Sequence, residues 1–99
     1  MTQEQYHTLQ NLIEAVWNGD RVAEYAAYDW LCECGYPSIA RYHQSHLGTA
    51  NNCDLTVICL GGFEPTPENK EKALTYQEAL DWFDRWELYY HSNERNKSL

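Results

Sequence analysis

Leu55-Thr56-Val57-Ile58-Cys59-Leu60 is the stretch on which the fold class turns. It is short, β-branched and almost continuously apolar, and Gly61-Gly62 follows it directly. A bounded apolar run of this kind reads as a strand buried on both faces, and paired glycines after a strand turn the chain. One strand cannot make a sheet alone. Its partner is sought around Gly48 to Asn52, near Phe63, or in the same strand of a second subunit.

Downstream, Glu64 to Lys72 (EPTPENKEK) is a polar, Pro-bearing loop able to start a short helix after Pro67. Thr75 to His91 (TYQEALDWFDRWELYYH) then reads as the longest helix. Thr75 and Glu78 have the spacing of a capping box, and Glu78, Asp81 and Asp84 place acids in the early turns, where the helix dipole favours them. Tyr76, Ala79, Leu80, Trp82, Phe83, Trp86, Tyr89 and Tyr90 fall within an arc of roughly 180°, wider than an ordinary core-facing stripe. The arc fits a central helix packed on two sides, by helices and by a sheet. The alternative is an exposed edge, Trp82 and Tyr89, that anchors a partner, although most large apolar side chains are core. The last eight residues, SNERNKSL, read as a fraying tail over 92–99.

Upstream, Thr2 to Trp17 reads as a helix with a second possible capping box, Thr2 and Gln5, and an apolar side of Tyr6, Leu9, Leu12, Ile13, Val16 and Trp17. Asn18-Gly19 stops it. Asp20 is suited to cap a second helix, about Arg21 to Cys34, whose half containing Val22, Ala23, Ala26, Ala27, Trp30, Leu31 and Cys34 is apolar. The short connection makes the two an antiparallel hairpin. Gly35-Tyr36-Pro37 breaks the pattern before a third helix, about Ser38 to Leu47, that ends at Gly48. The expected fold is therefore α+β: a mainly helical single domain over residues 1–99, with an N-terminal helical hairpin, a small β-sheet around residues 55–60 and a long C-terminal amphipathic helix.

The net charge of −8 over 99 residues argues against direct nucleic-acid binding, which needs a basic patch, and against anionic membrane surfaces. It favours a basic partner. Residues 1–37 hold six acids against Arg21 alone, and residues 64–99 hold eight acids against five bases. The start, MTQEQYHTLQ, has neither the basic nor the apolar region of a signal peptide, and no apolar run reaches membrane-span length. A cytoplasmic chain with mostly free thiols is expected.

No catalytic motif is present, and neither an enzyme nor a cofactor is expected. The residue types of Cys32, Cys34, His43, His46, Cys53 and Cys59 suit zinc, but their spacing does not: on one helix Cys32 and Cys34 point roughly 160° apart. His43 and His46 share a helical face at i, i+3, which leaves a site with Cys34 or Cys53 as the metal alternative. A cysteine nucleophile beside His43 or His46 lacks any local signature. Leu60-Gly61-Gly62-Phe63 lacks the spacing of a phosphate-binding turn.

The expected function is that of a small acidic regulator or inhibitor that occupies a partner's surface, in one version the nucleic-acid-binding site of a basic protein. In size and charge alone, with no shared motif, the chain is similar to small acidic inhibitors such as anti-CRISPR and antirestriction proteins. The partner-binding residues expected on this reading are Glu24, Asp29, Glu33, Asp81, Asp84 and Glu87, with Trp82, Trp86 and Tyr89 as aromatic anchors. A homodimer would pair the strand or cover the aromatic arc. The competing expectation is a zinc-binding or thiol-dependent small domain built on His43, His46, Cys34 and Cys53.

Overall fold

A computed structural model describes the backbone of residues 1–47 and 54–97 and the side chains of residues 1–42 and 54–92. Its described residues form six helices: α1 (Gln3–Trp17), α2 (Arg21–Glu33), α3 (Pro37–Leu47), α4 (Asp54–Leu60), α5 (Pro67–Glu71) and α6 (Tyr76–Lys97). α1 packs on α2 and α4, α2 on α3, α3 on α6, and α4 on α5. The buried apolar side chains come from every helix but α5, with Leu9, Ile13, Leu31, Ile39, Leu55, Ile58, Leu60 and Phe83 at the centre.

The helix starts follow from local chemistry. Thr2 and Gln5 form a reciprocal capping box on α1, and the Asp20 carboxylate accepts from the Ala23 N–H at the start of α2. On α6 the Thr75 N–H donates to Glu78 Oε1 (3.0 Å) and the Glu78 N–H donates to Thr75 Oγ1 (3.3 Å). Each bond satisfies a first-turn group that the helix itself leaves without a partner. Gly19, at φ 91°, takes the left-handed conformation between α1 and α2. α5 has Thr66 as its N-cap and Pro67 in its first turn. α6 runs on to Lys97.

The α+β expectation is overturned at residues 55–60. Among the described residues there is no strand, and this segment is helix α4. The proposed partner segment Gly48 to Asn52 lies outside the described residues. Three physical reasons favour the helix. First, α4 is buried almost all round: Leu55, Thr56, Ile58, Cys59 and Leu60 are buried and only Asp54 and Val57 are exposed. A helix with so little exposed surface shows the same unbroken apolar run as a strand covered on both faces.

Second, its last carbonyls find acceptable donors. The Tyr6 hydroxyl, 2.9 Å from the Ile58 carbonyl, and the Leu74 N–H (3.1 Å) both donate to that oxygen, and Gln10 Nε2 donates to the Cys59 carbonyl (3.2 Å). The C-terminal groups that a helix cannot satisfy internally are thus met from α1 and from the segment before α6.

Third, Gly61 has φ 72°, and the Gly61 N–H bonds the Val57 carbonyl at 3.0 Å. Left-handed glycine is a helix stop. A seven-residue helix is marginal in isolation, so α4 exists because α1 holds it. The reason for seeking a second copy to pair a strand goes with the strand.

Candidate partner-binding surfaces

The acids singled out by sequence separate into three groups. Glu87 is half-buried and faces the start of α3. Its two carboxylate oxygens accept from the Ser38 and Ile39 N–H groups, each at 2.9 Å. Tyr36, which precedes α3, has no side-chain acceptor suited to capping, so a carboxylate from α6 occupies the position that a Ser or Asp cap would fill. Asp84 is exposed but accepts from the Tyr36 hydroxyl at 3.1 Å. These two acids hold α6 against α3, and the Tyr36–Phe83 and Tyr42–Tyr90 ring contacts, at 5.0 and 4.1 Å, extend the same parallel packing.

Glu24 belongs to a second group. It is half-buried on α2, on the side shared with the buried Ala27 and Leu31. The third group, Asp29 and Glu33 on α2 and Asp81 on α6, is exposed, and its carboxylates make no hydrogen bond among the described residues.

The aromatic anchors form a chain of ring contacts along α6. Trp82 and Trp86 are 5.8 Å apart, Trp86 and Tyr89 5.1 Å, and Tyr89 and Tyr90 5.6 Å. Trp82 and Trp86 are half-buried and pack against the core, while Tyr89 is 53% exposed. Leu88 beside it is 69% exposed. The outer side of α6 thus carries Asp81, Asp84, Arg85, Leu88 and Tyr89, a surface of mixed sign.

α2 presents a different surface. Val22 is 78% and Tyr25 69% exposed. With the exposed Asp29 and Glu33 they fall within an arc of roughly 80°. Sequence reasoning set Val22 among the core positions of this helix. The structure turns it outward, because the alanine row Ala23 and Ala27, with Leu31, is what packs inward. Val22, Tyr25 and Leu88 were absent from the sequence-based set: nothing in the pattern separates a border residue such as Val22 from a core one until neighbouring helices are placed, whereas Tyr25 and Leu88 fall outside the apolar arcs by spacing alone.

The metal alternative draws no support from the described residues. No three His, Cys, Asp or Glu side chains among them gather to hold an ion. His43 and His46 lie on α3, but their side chains, and all of Cys53, fall outside the described residues. Cys34 is half-buried at the end of α2, and burial raises its thiol above the ordinary value, with Glu33 adding to the rise. That is the opposite of the thiolate-favouring setting a nucleophile needs. Among the described residues no helix is long and apolar enough to cross a membrane. Comparison with family models, curated proteins and solved structures finds no match for this chain.

Proposed function

We propose that this protein is a small acidic binding protein that acts by occupying the basic surface of another protein, in the sharpest version the surface with which that protein holds nucleic acid. The observation that carries the reading is that Asp29, Glu33 and Asp81, among other exposed acids, have carboxylates that make no hydrogen bond or ion pair among the described residues, on a chain of net charge −8. Carboxylates held on rigid helices offer a basic groove the charge it would otherwise take from phosphates, at a cost in desolvation that exposed apolar neighbours such as Val22 and Tyr25 offset.

The test is capture from native lysate at low salt, stepwise salt elution and identification of the partner. The partner's nucleic-acid binding is then measured with and without this protein. The expected outcome is release at moderate salt, because exposed charge pairs are screened over about 8–10 Å at physiological ionic strength, together with competitive loss of nucleic-acid binding. Asp29→Asn, Glu33→Gln and Asp81→Asn combined should abolish the effect while leaving the melting temperature unchanged. A partner that survives high salt and keeps its nucleic-acid binding would sink the reading.

A further inference from the structure

We infer that the outer face of α2 is the docking surface, and that its occupant is a helical segment of a basic protein carrying an apolar side chain and a basic pair two helical turns apart. This rests on the proposed binding role and assigns it to one face.

Among the described residues, the long helices α2 and α6 each present a face that is exposed, apolar in part and acidic in part. On α6 the face of Asp81, Leu88 and Tyr89 also carries the exposed Arg85, and Asp84 there is engaged by Tyr36. A basic partner would meet a like charge at its centre and would have to share one of its acids. On α2 the face of Val22, Tyr25, Asp29 and Glu33 has one sign at one end and apolar surface at the other. The exposed base of this helix, Arg21, lies beyond the apolar end. From Arg21 to Glu33 the rise is roughly 18 Å, so the base leaves the acidic end unneutralised.

The distance between the centre of the Val22–Tyr25 pair and that of the Asp29–Glu33 pair is about 11 Å along the axis. A partner helix laid along α2 meets both only if its own apolar and basic groups have that separation. The apolar contact supplies affinity and the two carboxylates set register and charge preference. Tyr25 is the natural anchor, being a large exposed aromatic on a rigid helix and able to stack under an arginine guanidinium as well as to meet aliphatic carbons. Because the chain is strongly acidic, a second copy is a poor occupant: two acidic faces would repel.

The probe is a synthetic helical peptide with a leucine pair and, two turns further on, an arginine pair, labelled for fluorescence anisotropy against the full chain. Comparators are a peptide with glutamates replacing the arginines and one with the arginines moved next to the leucines. The first peptide should bind about tenfold or more tightly than either comparator. Asp29→Lys with Glu33→Lys, and separately Tyr25→Ala, should each weaken it by about tenfold, the size expected of one to two kcal/mol at an exposed contact. All these positions are exposed, so unchanged thermal melts confirm intact folding, and Leu88→Ala with Tyr89→Ala should change binding less than about twofold. Equal binding of the three peptides, or no binding of any, overturns the assignment. Binding lost through Leu88 and Tyr89 with the α2 variants unaffected moves the interface to α6: the surface-occupying role then stands and only this placement of it falls.

Discussion

Replacing Glu87 by alanine should unfold the N-terminal turn of α3 more than any change at an exposed acid could. The Glu87 carboxylate accepts two N–H groups at 2.9 Å, from Ser38 and Ile39, and both of those residues are fully buried. A buried donor left without an acceptor costs about 1–3 kcal/mol. Two of them would cost about 2–6 kcal/mol if water could reach neither. The space vacated by a half-buried glutamate admits some water, which puts the expected loss at about 3 kcal/mol. In a domain of this size that lowers the melting temperature by roughly 12–24 °C.

Glu87→Gln keeps one acceptor oxygen and should lose about half as much. Asp81→Asn, an exposed acid on the same helix, is the control and should change stability by less than about 0.5 kcal/mol. Urea unfolding followed by circular dichroism measures the differences, and amide hydrogen exchange locates them: the Ser38 and Ile39 amides should lose protection first. If Glu87→Ala costs no more than Asp81→Asn, the cross-helix cap is not holding α3 and the Ser38 and Ile39 N–H groups do not depend on Glu87 for an acceptor.

The remaining expectations concern α4 and the helix caps. Gly61→Ala should cost more than about 3 kcal/mol, since φ is 72° and an added Cβ would meet the Asn69 carbonyl oxygen, the Ala73 nitrogen and the Lys72 carbonyl carbon, all backbone. Gly19→Ala, at φ 91° with open space around it, should cost only the left-handed term of about 1–2 kcal/mol, and equal melting temperatures for the two variants would refute the close approach of α4 and α5.

Tyr6→Phe should lose about 1–2 kcal/mol, because its hydroxyl lies 2.9 Å from both the Ile58 and the Leu74 carbonyls. Burial raises both Tyr6 and Tyr36 above the ordinary tyrosine value of 10.0. The unfolded chain therefore ionises first, and their contribution is whole below about pH 10 and declines as pH rises beyond it. Urea midpoints taken across that range should fall, and fall less in the Tyr6→Phe variant. Glu78 is held below its ordinary value of 4.5 by the Thr75 N–H and hydroxyl. Its contribution is present above that pH and is lost as the carboxylate protonates in acid; Glu78→Gln should flatten that part of the stability profile, and an unchanged profile would show that the capping box does not matter to folding.

The features legible in the residue string are those decided within a few residues of one another. Thr2 with Gln5, Asp20 before Arg21, and Thr75 with Glu78 cap their helices as their spacing implies, because a capping bond closes within one turn. Asn18-Gly19 ends α1, and Thr66-Pro67 starts α5, for equally local reasons. The inward side of α6 was legible as well, since Ala79, Phe83 and Tyr90 repeat at helical spacing and are buried.

What the string alone left open is whatever depends on a partner element far along the chain. Leu55 to Leu60 has the composition of a strand, and it is a helix because Tyr6 and Gln10, some fifty residues earlier, bond its terminal carbonyls and because α1 covers it. The alternation that would distinguish strand from helix is erased once nearly every side chain is buried. The same reason hid the roles of the acids. Glu87, Asp84 and Asp81 lie within one helix and look alike in sequence, yet only the placement of α3 makes the first a cap, the second a tyrosine partner and the third a surface charge. A carboxylate's role is set by the donors that surround it, and those donors arrive only with the tertiary fold.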